Sequence, residues 1–304
     1  MAQTQRLLLL DTATLYYRGY YGLPATLTMP SGEPNNAIRG FCDGLATLVT
    51  ALQPTHVVCA WDADWRPQFR VDAWSGYKTH RVTVAGEEEA PDDLSPQIDA
   101  IAALLDAAGI ARIGVAEFEA DDVIATIARC SEMAVDIVTS DRDLFQCIDD
   151  TRSVRVASLS KGVRNLDFLT GDTVAERYGI RVDQYVDFAT LRGDASDGLP
   201  GVPGIGVKTA ATLLAQFQTL DEIYAAARDS ASDMPPGVRR KLLAAEDTVA
   251  ALRFVTCARI DVPIPTQSWN VPAQPTQSFD ELSQTYGVPR LRASWAAVGL
   301  VPQI

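Results

Sequence analysis

Five places along the chain carry acids that could share one metal site: Asp11, Asp62, the trio Glu119, Asp121 and Asp122, the pair Asp141 and Asp143, and the pair Asp194 and Asp197. Unpaired carboxylates crowded together repel one another and raise each other's pKa, so such a gathering is tolerated near neutral pH when divalent cations sit among them. Hard oxygen donors without histidine suit Mg²⁺ or Mn²⁺. His56 and His80 are the histidines of the chain; neither has a partner at ligand spacing, and both read as structural. Taken singly, the acidic groups have ordinary explanations. A helix dipole favours acids such as Glu119, Asp121 and Asp122 in a first turn; Asp141 and Asp143 could cap a turn; Asp194 and Asp197 lie in GDASDGLPG, where Asp is a common turn former. It is the five groups together that point to a metal site.

The elements that must position these acids are legible around them. Apolar runs stop on an acid in LLLLD, HVVCAWD and DIVTSDRD, as buried parallel strands do when their ends open onto a ligand crevice. Strands are expected at 6–11, 55–61 and 135–139. Helices are expected from 12 to about 21, from Asn35 or Asn36 to 52, at 93–108 before Gly109, and at 119–133. Strands alternating with helices make an α/β fold with a mostly parallel sheet and helices on both faces. Beyond about residue 150, short β-like runs (RSVRVAS, GVRNL) pass into helices. The expected division is 1–165 for the sheet-bearing core and 166–304 for a smaller helical domain with a C-terminal extension.

At 304 residues and 47% hydrophobic content the chain can bury a real core. The start MAQTQRLLLLD holds too short an apolar run for a signal, no run is long enough to span a membrane, and the expectation is a cytoplasmic protein without membrane contact. Five scattered cysteines with no CxxC pair read as reduced thiols. The net charge of −13 at first argues against nucleic acid, but without the nine carboxylates it would be −4, and two bound divalent ions would bring that to about zero. Two segments run against the acidic average. Between 65 and 81, Arg66, Arg70, Lys78 and Arg81 interleave with Phe69, Trp74 and Tyr77, the chemistry of a single-strand binding element as well as of a solvated loop; the following GEEEAPDD reverses the charge. From 201 to 216 the chain holds Lys208 and no acid. There Gly201, Gly204 and Gly206 allow close backbone approach, and a helix starting near Lys208 offers N–H groups to an anion, a grip on a phosphate backbone without base readout. This segment lacks the Gly-Lys-Ser/Thr tail of a P-loop.

The stretches LLLLDTATLYYRGYYGLP, GEPNNAIRGF, WDADWRPQFR with YKTHR, FEADDVIATIA, TSDRDLFQCI and GDASDGLPGVPGIGVKTAATLL resemble, in order and over about residues 6–217, the bacterial 5′-3′ exonucleases and flap endonucleases, including the N-terminal nuclease domain of DNA polymerase I. The resemblance implies a PIN-like parallel-sheet nuclease core with a helical arch at about 66–92 and a helix-hairpin-helix-like DNA grip. It implies that the nine acids hold two or three Mg²⁺ or Mn²⁺ ions, that Lys78, Arg81 and Tyr77 serve catalysis at the base of the arch, and that Arg70, Gly201, Gly204, Gly206, Lys208 and Thr209 bind DNA, with K⁺ at 200–210. It further implies a free-standing monomer acting on DNA with a 5′ flap, nick or 5′ end in replication and repair, with a separate DNA polymerase as partner. Gly198 stands where the family usually has Asn, Thr12 where it usually has Gly, and Asp64 where Lys is frequent; no motif carboxylate is lost. The rival readings are a non-catalytic DNA-structure binder, which would have lost acids; a ribonuclease, against which the DNA grip speaks; and a small-molecule phosphatase, for which Asp11 lacks a second acid two residues on.

Overall fold

The computed structural model describes residues 5–83, 90–270 and 275–301. Six strands, β1 (Arg6–Asp11), β2 (His56–Ala60), β3 (Ala111–Ile113), β4 (Ala134–Thr139), β5 (Val154–Ser158) and β6 (Asp167–Leu169), form one sheet in the order β3-β2-β1-β4-β5-β6. All pairings are parallel except β5 with β6. The chain builds outward from β1 through β2 to β3, then returns to the other side of β1 to lay down β4. The crevice at such a switch point, beyond the strand carboxyl ends, is where an α/β sheet binds ligands.

The helices are α1 (Thr12–Gly22), α2 (Asn36–Leu52), α3 (Gln68–Ala73), α4 (Ser95–Ala108), α5 (Ala120–Cys130), α6 (Gly171–Tyr178), α7 (Tyr185–Arg192), α8 (Val207–Phe217), α9 (Leu220–Arg228), α10 (Pro236–Ala244), α11 (Glu246–Thr256), α12 (Phe279–Thr285) and α13 (Leu291–Ala297). Most expected elements are present with shifted ends. Helix α4 stops where Gly109 takes φ +74°. Helix α5 ends at Cys130, not 133, because Ser131 turns to extended backbone. The run GVRNL is a turn around Gly162 at φ +98° rather than a strand, and β6 follows it.

Alternation along β1 sorts the core into two layers, as side chains of a strand must. Leu7 and Leu9 pack with Val58, Ile137 and Val156 against α5, and this layer continues without a break into Tyr185, Phe188, Leu214 and Ile223 of the helical region. Leu8 and Leu10 pack with Val57, Cys59 and Val138 against α2 and α4. The last described segment belongs to that second layer: Phe279, Leu291, Trp295 and Leu300 are buried there, and Trp295 Nε1 donates to the Cys42 carbonyl at 3.2 Å. Strand β6 pairs with β5 in the sheet, and Phe279, Leu291, Trp295 and Leu300 of the last described segment find their burial against the α2 and α4 layer.

Of the expected arch at 66–92, residues 84–89 lie outside the described residues, together with part of the acidic run. The described part is α3, then a 3₁₀ turn at Thr79–Arg81. It is tied to α11 through Arg70 Nε donating to the Val255 carbonyl at 3.2 Å and through the edge-on contact of Phe69 with Phe254.

Candidate metal centre and nucleic-acid interface

Asp11 is the last residue of β1, Asp62 follows β2 and Asp141 follows β4, so three neighbouring strands of the sheet end in acids. Strands lie about 4.8 Å apart, which puts three such ends within roughly 10 Å. Helix α5 brings Asp121 in its first turn and Glu119 as its N-cap. Asp11, Asp62, Glu119, Asp121 and Asp141 all line one cleft of about 730 Å³, and Lys78 and Arg81 line it with them. Asp136, also on β4, points elsewhere: it is fully buried and paired with Arg6 and Arg155.

Each acid is held in place by its own neighbours. Asp11 accepts from Thr14 Oγ1 at 2.6 Å and Thr139 Oγ1 at 2.7 Å. Asp62 accepts from the Ala120 N–H at 2.8 Å, which fixes the start of α5. Asp141 accepts from the Asp143 N–H at 2.8 Å, while Asp143 Oδ1 is buried with no hydrogen-bond partner. Asp194 caps the turn at Ala195–Asp197 through the Ser196 N–H, and Arg81 pairs with Asp197 at 3.3 Å. The charges feel one another. Burial, with Glu119 and Asp11 nearby, pushes Asp62 up to about 7 against the pull of the Ala120 N–H. Burial, then Asp197 and Asp11, pushes Asp141 up to about 6, although it is open to the cleft. Asp121 is raised by burial and by Asp141, and Asp143 by burial and by Asp141, Asp197 and Asp194.

These observations test the fit of a divalent ion. The donor set is all oxygen, its members destabilise one another's charge, and one buried oxygen lacks a donor; a cation relieves all three conditions. Among the described residues, no three acids, histidines or cysteines are already gathered at one ion position. Mg²⁺ keeps several waters and takes only one or two carboxylates directly, so a rim of separately held acids suits it better than a closed cage.

Three of the expected site residues have structural partners that redefine them. Arg70, expected to contact DNA, is 3% exposed, and its guanidinium donates to Glu119 at 2.5 Å and to both oxygens of Asp122 at 2.6 and 2.7 Å. Asp122, expected among the metal ligands, is fully buried and spends its oxygens on Arg70 and on the N–H groups of Glu119 and Arg259. Both corrections have one cause: a guanidinium fork and a carboxylate complete each other where water is excluded. Tyr77, expected to serve catalysis, is buried and donates its hydroxyl to Glu119 at 2.9 and 3.0 Å. Lys78 also donates to Glu119; burial works to lower its ammonium pKa, and Glu119 and Asp197 raise it more. Lys78 sits at φ +48°, unusual for a side-chain-bearing residue, and its N–H bonds to the Asp197 carbonyl at 2.9 Å. Gly198 explains its departure from the family pattern: at φ +71°, a Cβ there would meet the Gly76 carbonyl at 2.4 Å.

The hairpin between α7 and α8 uses its glycines differently from one another. Gly201 is buried, and a Cβ on it would meet the Gly193 nitrogen at 2.4 Å, so its bareness serves a crossing of backbone on backbone, not approach to a partner. At Gly204 the Cβ position lies 2.8 Å from Lys241 Nζ, and Gly206, before α8, faces open space. Lys208 and Thr209 stand in the first turn of α8, where N–H groups have no acceptor in the helix. Carboxylate-centred reading missed Tyr17, Arg18 and Tyr21, which line the cleft from α1. Their signal was available: Tyr17 and Tyr21 are one helical turn apart, and Arg18 one turn beyond Thr14, the residue that holds Asp11. The Tyr17 and Tyr21 rings stack at 6.3 Å with planes 7° apart.

Clustered acids facing lysine and arginine at the switch point of a parallel sheet define a nuclease core of the α/β class. Comparison with known proteins gives the family. A model of the 5′-3′ exonuclease N-terminal resolvase-like domain matches residues 6–179, and one of the 5′-3′ exonuclease C-terminal SAM fold matches 180–278; the chain belongs to the 5′-3′ exonuclease family. It is 48% identical over 288 residues to a 5′-3′ exonuclease of Streptomyces coelicolor, covering 92% of this chain and 96% of that protein. It is 45% identical over 298 residues to one of Mycobacterium tuberculosis, covering 93% and 94%. Among solved structures, T5 5′-exonuclease with zinc bound shares the fold at TM-score 0.64 and 16% identity, covering 97% of this chain and 94% of that one. The catalytic core of Rad2 in complex with DNA substrate does so at 0.62 and 14%, covering 97% and 93%. Among the described residues no helix is long and apolar enough to cross a membrane.

Proposed function

We propose that this nuclease is a structure-dependent 5′ nuclease that hydrolyses DNA phosphodiesters at a 5′ flap, nick or 5′ end, using Mg²⁺ or Mn²⁺, in replication and repair. The observation that carries the reading is the meeting of Asp11, Asp62, Asp121 and Asp141 with Lys78 and Arg81 around one cleft. These acids, with Asp143, Asp194 and Asp197, would hold divalent ions, which when bound would supply an activated water and positive charge for the departing 3′ oxygen. Lys78 and Arg81 neutralise the phosphate oxygens, Glu119 and Tyr77 aim Lys78, and Arg18 adds a cation to the opposite wall. Tyr17 and Tyr21 offer ring faces to bases of an unpaired strand. The N-terminal turn of α8 holds phosphates of the adjoining duplex.

The chain is further proposed to work in the cytoplasm as a monomer beside a separate DNA polymerase. Kinship with the DNA polymerase I of Deinococcus radiodurans, 38% identical over 261 residues that make up 26% of that protein, supports the polymerase partner. A labelled 5′-flap duplex with Mg²⁺ tests the activity. Asp141→Ala should abolish cleavage and leave binding measurable, while full activity in that variant would remove the acids from the mechanism.

A further inference from the structure

One short run of backbone, 255–259, joins three parts of the site that lie far apart in sequence. The Val255 carbonyl accepts from Arg70 at 3.2 Å. The Arg259 N–H donates to Asp122 at 2.7 Å, and the Arg259 carbonyl accepts from Thr126 Oγ1 at 3.2 Å, both on α5. Between these two, Thr256 and Ala258 turn their backbone to a single side chain, Gln146. Its amide nitrogen donates to the Thr256 carbonyl at 3.1 Å and to the Asp143 carbonyl at 2.7 Å, and its oxygen accepts from the Ala258 N–H at 2.9 Å. Two acceptors and one donor around the amide leave only one way round for it.

Gln146 belongs to the 3₁₀ turn Asp143–Cys147, which begins with one of the expected metal ligands. The apolar side of that turn is anchored separately: Leu144 and Phe145 are buried, and the Phe145 ring meets those of Tyr178 and Tyr185. Asp143 is held through its main chain on both sides. Its N–H donates to Asp141 at 2.8 Å and its carbonyl accepts from Gln146, while its own Oδ1 is buried without a hydrogen-bond partner. The backbone is fixed and the carboxylate oxygen is left unspent.

We propose that Gln146 is a positioning residue for Asp143: it pins the turn that presents this acid to the run 255–259, which also anchors Arg70 and the head of α5, and thereby sets the affinity of the site for its divalent ion. The inference rests on the proposed metal-dependent nuclease and adds to it a residue that touches neither ion nor DNA. Without the three hydrogen bonds the turn keeps its apolar anchors but loses its tether, and the Asp143 carboxylate is no longer held where the other acids meet. Replacing a residue that holds a metal-binding side chain typically costs about 10–100-fold in metal affinity or activity.

The test uses full-length protein with MgCl₂ as the probe. Gln146→Met keeps the length of the side chain and removes all three bonds. The Mg²⁺ concentration that gives half of the full rise in melting temperature, measured without DNA, should increase about 10-fold or more, and the concentration for half-maximal cleavage of a labelled 5′-flap duplex should increase with it. Affinity for the same duplex in EDTA should match wild type. Gln146→Glu keeps the acceptor for Ala258, loses both donors, and should shift both midpoints the same way. A variant that melts lower but keeps the wild-type Mg²⁺ midpoints overturns the proposal and leaves Gln146 as a brace of the fold; so does a loss of duplex affinity in EDTA with those midpoints unchanged. If Gln146→Met does not fold, Gln146→Asn decides the matter, because it retains an amide that is one methylene too short to keep all three bonds, and its midpoints should still rise. A wild type that neither gains melting temperature nor cleaves with Mg²⁺ would instead overturn the metal-dependent reading itself.

Discussion

Replacing Arg70 by Met separates the two roles this residue can have. The stem and its packing are kept, and the guanidinium that faces Glu119 and Asp122 is lost. Those acids are 5% and 0% exposed, so solvent cannot take over from the missing charge. Glu119 keeps Tyr77 and Lys78 as partners, whereas Asp122 keeps only the N–H groups of Glu119 and Arg259, and the cost should fall mainly on Asp122. Removing one partner of a buried ion pair costs about 3–5 kcal/mol. Urea denaturation followed by circular dichroism should report a loss of that size. Asp122→Asn in the Arg70→Met background should recover part of it, with a coupling of about 1–3 kcal/mol in the double-mutant cycle. A loss below about 1 kcal/mol, together with a marked drop in DNA affinity, would refute the buried-lock reasoning and return Arg70 to the nucleic-acid face.

Two further outcomes follow from the same geometry. In chelator, Asp62 (about 7) and Asp141 (about 6) bind their protons more tightly in the folded protein than in the unfolded chain; stability should therefore fall as pH rises from about 4 through 7, and Mg²⁺ should flatten that fall. Melting temperatures across this window with and without Mg²⁺ check the sign, and a chelated protein that gains stability toward pH 7 contradicts it. Gly198→Ala forces a Cβ against the Gly76 carbonyl at a left-handed residue and should cost about 1–3 kcal/mol, with lost cleavage because Lys78 hangs from the adjacent Asp197 carbonyl; unchanged stability and activity would show that the loop yields.

Much of this protein was written in local patterns. The four leucines of β1, the periodic face of α2, Gly109 closing α4 and the acids at apolar run ends depend on neighbours within a few residues, where hydrophobic period, capping and turn chemistry operate. The metal-site reading needed only that strand ends in an α/β sheet face one crevice, and Asp11, Asp62 and Asp141 do so. Tertiary structure alone decided which charges are spent inside. Arg70 looks like its exposed neighbours in sequence, but its fork is satisfied by acids 49 and 52 residues away. Gly201 serves a crossing with Gly193, Lys241 reaches a carbonyl 37 residues back, and Trp295 closes a core layer begun by Leu8. Partner choice over such separations is set by burial and complementary geometry after the chain has collapsed, and no short window of sequence contains both partners.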